Sequence, residues 1–393
     1  MLDVWEGRME GEEDGRLLLL SLSHLPGYSP FGECPLVIDD STGPHPTDWS
    51  PWTHRPKCLY SREISEPDKR FCVFTNSRHG PRGLTIVTTP ESAADSIAIL
   101  NELANVTTRG LSYKIIDIPG KGKGVVATRH ISRYEELMVD YAALAVDISF
   151  TTLVPARDGY RLLQLATKQL SDPDSVLNLG QSNAFAADVI ENVLRTNAFH
   201  TILSGAPHMA LYPEVSRINH ACKPNAYTRF IPQSLGVSVA ASRDIKLGEE
   251  ITISYLTVGE TSDVRQRSLR QWGFECSCDL CSSSAAEVAA SDARRRQIDM
   301  LRHQAVQAFT DGKPYQALRI TRQVLNLLPL EGLFPLYSEQ YENIARVYWM
   351  LRDREKAEKY ARISLDVLAE QGYISRVRPG DVEIMWNKFV EGG

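Results

Sequence analysis

The stretch RINHACKPNAYTRF, Arg217 to Phe230, sets a single cysteine, Cys222, beside an Asn-His pair and ahead of a Pro-Asn. The next cysteines come 54 residues later, in WGFECSCDLC, as Cys276, Cys278 and Cys281. The C-x-C-x-x-C spacing lets three thiolates converge on one ion, and tetrahedral zinc takes a fourth ligand. Redox chemistry is the rival reading, but CSCDLC lacks the isolated C-x-x-C at a helix start that lowers a thiol pKa.

The bulk numbers bound the answer. A chain of 393 residues has room for two or three domains. Its hydrophobic content of 43% and charged content of 23% are those of a globular protein. A net charge of −6 argues against a protein that coats nucleic acid, although an acidic surface attracts a basic protein tail. No run approaches the length of apolar residues that spans a bilayer. The short apolar run RLLLLSLSHL, Arg16 to Leu25, follows the acidic EGEEDG, where a signal peptide carries positive charge, so no signal is expected. Of the seven cysteines, Cys34, Cys58 and Cys72 remain outside the metal set. They suit reduced thiols in a cytosolic or nuclear protein. A Cys58–Cys72 disulfide is the reading for a secreted one, and sequence does not fix connectivity.

Along the chain, residues 1–55 are rich in Pro, Gly, Asp and Ser and read as irregular. Residues 56–109 read as a small strand-helix region: KRFCVFT and GLTIVTT as strands, then a helix with Thr89 as N-cap, Pro90 at its first position, and Ile97, Leu100 and Leu103 on one face. Residues 1–108 are expected to be removable without unfolding the domain after them. YKIIDIPGKGKGVVATRHIS predicts strand, turn, strand, and EELMVDYAALAV continues in β fashion. Helical spacing dominates residues 156–200. GVSVAASRDIKLGEEITISYL returns to strands. From about residue 287 the chain is helical, and an offset of 40 aligns Ala305, Ala317 and Leu325 with Ala345, Ala357 and Leu365. That is a helix pair repeated in the manner of a short tetratricopeptide-like array, or an ordinary bundle.

Four motifs in order, GKGKGVVAT, RINHACKPN, GEEITISYL and CSCDLC, resemble the series of SET-domain protein lysine methyltransferases across about residues 110–285. TNAF ahead of ALYPEVSRINHACKPN and the helices after the cysteines resemble the SET-and-MYND (SMYD) type. No MYND zinc finger interrupts this chain, so the arrangement is SET5-like. The resemblance implies an α+β fold. It consists of a knotted, short-strand β-clip with a helical insert at about 150–212, a post-SET zinc segment at 270–285, and a helical domain at 287–393.

The resemblance also implies roles. Cys222 becomes the fourth ligand of a structural zinc with Cys276, Cys278 and Cys281, which ties the C-terminal segment back over the Asn-His motif. S-adenosylmethionine becomes the cofactor, met by Lys121, Gly122, Lys123 and Gly124, by Asn219 and His220, by Asn197, and by Phe274 as a surface for adenine. Tyr255 becomes the catalytic tyrosine, and Tyr141 a candidate wall of the lysine channel. Glu249 and Glu250, in a β-turn, read as solvated charges. The substrate becomes a lysine-bearing protein such as a histone tail, with a protein partner at the C-terminal helices, and no nucleic acid or membrane is expected to bind. Nuclear or cytoplasmic placement is the matching expectation. The alternative is a SET scaffold without turnover.

Overall fold

The computed structural model describes residues 31–33, 49–59, 69–97, 112–181, 188–231, 234–371 and 380–391. The expectations for Arg16 to Leu25, for Cys34, and for Leu100 and Leu103 lie outside the described residues. The fold is α+β, and the chain divides into two interleaved compact units.

The first unit comprises Met1–Gly110, Val139–Arg217 and Phe230–Ser238. The two strands expected before the first helix are Cys72–Asn76 and Leu84–Thr88, paired antiparallel. They belong to a seven-stranded sheet in the order Phe31–Glu33, Lys57–Leu59, Cys72–Asn76, Leu84–Thr88, Leu144–Asp147, Ala206–Leu211, Phe199–Leu203. Leu84–Thr88 pairs in parallel with Leu144–Asp147. Both strands are buried along their whole length, as strands covered on two faces are. The amphipathic helix Ala156–Lys168 places Leu162, Leu163 and Ala166 in one core with Phe71, Val73, Val87, Val146 and Leu211. Thr89 caps the helix Pro90–Asp95 by accepting from the Ser92 N–H, with Pro90 in its first turn.

Two expectations are corrected here. The described residues of 56–109 are built into the first unit's sheet and core and are not peripheral to it: Phe71, Phe74, Leu84 and Ile86 are 0% exposed, and Leu84–Thr88 is the ladder partner of Leu144–Asp147. Their removal strips that strand of hydrogen bonds along one edge. Cys58 and Cys72 are not separate reduced thiols. They are register partners in adjacent strands and form a disulfide, because antiparallel pairing sets opposed side chains on the same face.

The second unit comprises Leu111–Met138, Ile218–Arg229 and Val239–Gly393. Its four-stranded sheet runs Asn219–His220, Glu250–Ile253, Gly122–Ala127, Tyr113–Ile118. The strand, turn and strand read from YKIIDIPGKGKGVV form the antiparallel hairpin with Gly122 opposite Ile118. Gly120 and Gly122 sit at φ of 76° and 71°, conformations glycine adopts without strain.

The α-helices of this unit are Ser262–Leu269, then Ala285–Thr310, Pro314–Glu331, Tyr337–Met350, Arg354–Glu370 and Asp381–Glu391. Ser284 and Glu287 form a capping box at the start of Ala285–Thr310. Pro314 opens the next helix and Gly332 ends it in the left-handed region. Pro314–Glu331 and Arg354–Glu370 begin 40 residues apart, the offset read in the sequence. The aligned alanines Ala305, Ala317, Ala345 and Ala357 are 4%, 1%, 0% and 0% exposed, small residues where helices approach closely. No described helix is long and apolar enough to cross a membrane.

Candidate active site and metal centre

All the site residues expected from the sequence except Asn197 and Tyr141 fall in the second unit. Asn219 and His220 form a two-residue strand in parallel register with Thr252 and Ile253. That pairing sets the Asn-His motif beside Glu250 and Tyr255 at the ends of the same neighbouring segment. The Asn219 amide donates to the Lys123 carbonyl oxygen at 3.2 Å and to Glu250 Oε1 at 2.9 Å.

Glu250 is not a solvated turn charge. It begins the strand Glu250–Ile253 and bridges Asn219 to Lys121, whose Nζ lies 2.7 Å from Oε2. Lys123 pairs with Asp117 at 2.8 Å on the exposed hairpin. Glu249 is likewise committed, since it accepts from Arg243 at 2.6 Å and from the Asn225 amide at 3.2 Å. Burial pushes the Glu249 pKa up, and the hydrogen bonds from Arg243, the Lys246 N–H and Asn225 together outweigh it, leaving the carboxyl below its ordinary range.

His220 is 5% exposed, and its Nδ1 accepts from the Tyr255 backbone N–H at 3.1 Å. A ring that accepts at Nδ1 carries its proton on Nε2, which stands 3.4 Å from Cys222 Sγ. The imidazole is therefore a neutral donor toward a sulfur. Burial agrees, lowering its pKa to about 4.

Tyr255 is enclosed by rings: His220 at 5.4 Å, Trp272 at 5.6 Å and Phe274, edge-on, at 6.4 Å between centroids. Its hydroxyl donates to the Ile218 carbonyl oxygen at 2.8 Å. Burial, and then Glu250, push its pKa up, so the phenol holds its proton. Phe274 remains 36% exposed, an open aromatic face next to this cluster.

The four cysteines converge. Their sulfurs all lie within 4.8 Å of one another, with Cys222 Sγ 3.8 Å from Cys276 Sγ and 3.5 Å from Cys281 Sγ. A tetrahedral ion with zinc–sulfur bonds of about 2.3 Å sets sulfur–sulfur separations of about 3.8 Å, so the set fits a zinc ion. The segment is fixed from both sides: Gln266 accepts from the Cys276 N–H at 2.9 Å and donates to its carbonyl oxygen at 3.0 Å. The crowded sulfurs share protons unequally. Cys278 is held far below the ordinary thiol range by its bonds from Cys222, and Cys222 is pushed far above it, first by Cys276.

Asn225, in the quoted motif, carries no role in the sequence reading. It is 2% exposed, donates to the Glu250 carbonyl oxygen at 2.8 Å, and accepts from the Thr252 N–H at 2.8 Å. It fastens the loop after Cys222 to the strand that leads to Tyr255. The motif's second asparagine is the signal that could have found it.

Asn197 ends the helix Val189–Asn197 in the first unit, where its amide donates to the Gly180 and Val193 carbonyl oxygens at 2.7 and 2.8 Å. Tyr141, in the same unit, packs against Gly80 and Gly236. A cavity of about 210 Å³ in the second unit opens beside Cys222, lined among others by Ile253, Leu256, Arg265 and Phe334; Tyr255 and Asn219 do not line it.

Residues 152–256 match the family model of the SET domain, so the chain carries a SET domain. The similarity expected from the motif order is present. Over 227 residues the chain is 28% identical to the histone-lysine N-methyltransferase set5 of Schizosaccharomyces pombe, covering 56% of this chain and 66% of that one. Over 78 residues it is 38% identical to the histone-lysine N-methyltransferase SET5 of Yarrowia lipolytica, 20% of this chain and 18% of that one. Over 76 residues it is 43% identical to the histone-lysine N-methyltransferase SMYD3 of Homo sapiens, 19% of this chain and 17% of that one. The chain thus covers less than two thirds of the length of each of these relatives.

Proposed function

We propose that the chain is a protein-lysine N-methyltransferase of the SET class, acting from S-adenosylmethionine on a lysine of a protein substrate such as a histone tail. One observation carries this reading. Asn219, His220 and Tyr255 form a single cluster on adjoining strand segments, and His220 joins it directly to Cys222 of the four-cysteine set. The named activity of the relatives supports it.

The cofactor, when bound, supplies an electrophilic methyl on a sulfonium. The residues that would hold it fit such a ligand. Asn219, whose NH2 is held by Lys123 and Glu250, offers its side-chain oxygen next to the Gly122–Gly124 hairpin, Lys121 offers a cation shared with Glu250, and Phe274 offers an exposed aromatic face. Gly122 has nothing within 4 Å of where a Cβ would stand, so backbone there is open to a ligand.

Tyr255 works as an orienting group and not as a base, because burial keeps its proton in place and its O–H donates to the Ile218 carbonyl oxygen. Its oxygen remains an acceptor for an amine N–H and for weak C–H···O contacts. The lysine ammonium loses its proton to solvent before transfer. The enclosing rings then position the neutral amine in a dry site, so rate comes from alignment and desolvation. The zinc, with four thiolates and no open position, is structural.

The helices from residue 285 onward serve a protein partner. A cleft of about 510 Å³ is lined by Tyr315, Arg319, Arg322, Tyr348 and the paired Asp353 and Lys356; its two arginines leave a surplus of positive charge that suits an acidic segment. Nuclear placement accompanies the histone reading, and the Cys58–Cys72 disulfide, a bond typical of oxidising compartments, stands against it. The test is calorimetric titration of the zinc-loaded protein with S-adenosylmethionine, which needs no knowledge of the substrate. Saturable binding at about micromolar strength is expected, and none up to about millimolar cofactor removes the enzyme reading.

A further inference from the structure

The four sulfurs are surrounded by buried charge from helices later in the sequence. Arg265 on Ser262–Leu269 and Arg295 on Ala285–Thr310 are each 2% exposed. Arg295 satisfies three acceptors at once. Its Nη2 donates to the carbonyl oxygen of Cys222 at 3.1 Å, its Nη1 to the Glu260 carbonyl oxygen at 3.0 Å, and its Nε to Glu331 Oε2 at 2.9 Å. Glu331, the last residue of Pro314–Glu331, is 0% exposed. It also accepts from Arg294 at 2.7 Å and from the Ser291 hydroxyl at 2.6 Å, and Lys223 stands 4.0 Å away. Arg265 donates to the Glu260 carbonyl oxygen at 2.6 Å and lies 3.8 Å from Asp292. Its Nε and Nη2 are buried with no oxygen or nitrogen acceptor.

A zinc ion on four thiolates carries a net charge of −2, which is costly to bury without compensation. Arg265 and Arg295, each 2% exposed, bring buried positive charge to this region, partnered by Asp292 and Glu331. Without Glu331, Arg294 and Arg295 would lose the acceptor that orients them. Without Arg295, the Cys222 backbone would lose its tie to the helices.

We propose that Arg295 and Glu331 are positioning residues of the metal centre. The helix pair Ala285–Thr310 and Pro314–Glu331 thereby holds Cys222, the ligand remote in sequence from the other three, through its backbone carbonyl. This rests on the zinc reading given above. It makes the C-terminal helices part of the centre, beyond any role in binding a partner.

The test uses the full chain loaded with one zinc, with transfer to an excess chromogenic chelator followed over time. Arg295→Met and Glu331→Gln should release zinc about 10–100-fold faster than wild type, the usual scale for loss of an outer-shell partner. Arg295→Lys, which keeps charge and loses the fork, should fall between them and wild type. Glu339→Gln breaks the Arg302–Glu339 pair, 2.7 Å on neighbouring helices, and should release at the wild-type rate. Wild-type release from Arg295→Met and Glu331→Gln that retain native circular dichroism overturns the inference. If Arg295→Met does not fold, Arg295→Lys decides: intermediate release supports the role and unchanged release rejects it. A folded wild type that binds no zinc removes the metal reading, and the inference with it, so the two failures are told apart.

Discussion

Gly124→Ala tests the geometry around Asn219 with a single methyl. A Cβ at residue 124 would stand 2.2 Å from Ile118 Cδ1, 2.9 Å from Ile118 Cγ1 and 2.8 Å from Asn219 Nδ2. The half-buried Ile118 can turn toward solvent. Asn219 has less freedom, because its amide is held by Lys123 and Glu250 at 3.2 and 2.9 Å. The clash is therefore relieved by breaking those bonds and moving the amide proposed to grip the cofactor. Overpacking of this kind costs about 1–3 kcal/mol, and if it falls on the cofactor complex the affinity drops by about 5–150-fold. Gly120→Ala is the control. Its Cβ meets nothing within 4 Å, and its cost is the strain of φ +76°, about 1–2 kcal/mol in folding stability alone. Calorimetric titration with S-adenosylmethionine, paired with thermal melts, separates the two. Wild-type affinity in Gly124→Ala, or an equal loss in Gly120→Ala, refutes the placement of Asn219.

Cys222→Ser removes one of four ligands, so metal content by atomic absorption should fall from about one ion per chain toward none, with residues 270–285 cleaved faster by protease; equal metal content in mutant and wild type removes the assignment. His79 is 3% exposed, and burial lowers its pKa to about 4 from 6.5. Above pH 6.5 both folded and unfolded states hold it neutral. As pH falls from 6.5 to 4 only the unfolded state takes up the proton, so up to about 3 kcal/mol of stability is lost across that window. His79→Gln should flatten this difference in urea midpoints between pH 7 and 5, and an unchanged pH slope contradicts it. Deleting residues 1–108 removes the strands Cys72–Asn76 and Leu84–Thr88 and the buried Phe71, Phe74 and Ile86, so the truncated chain should show no cooperative melt. A sharp native-like transition would show that the strand Leu144–Asp147 stands without its parallel neighbour.

Much of the site was legible because its signals are local. Three cysteines within six residues announce a metal site from spacing alone, and the fourth came from the motif around Asn219. The hairpin at GKGKG was readable from its glycines, and the helix pairs from repeated alanines. The features that were not legible are long-range. Arg295 lies 73 residues from Cys222 and 36 from Glu331, and no periodicity in Ala285–Thr310 marks that arginine as buried. Glu250 looked like a turn charge because GEE ends a glycine turn, yet the strand begins there and points its carboxylate at Asn219 and Lys121. Residues 56–109 looked peripheral because strands of three to five residues carry little alternation. Their place in a seven-stranded sheet comes from a parallel pairing with residues some sixty positions later, which no local pattern encodes.

The central claim is methyl transfer through the Tyr255 cluster. Zinc-loaded protein incubated with histones, and separately with whole-cell extract, in the presence of tritiated S-adenosylmethionine tests it directly. Label should appear on lysine, and Tyr255→Phe, which leaves the rings at His220, Trp272 and Phe274 in place, should abolish it while the protein stays folded. A wild type that binds the cofactor and labels no protein, or a Tyr255→Phe enzyme that labels as well as wild type, contradicts the account.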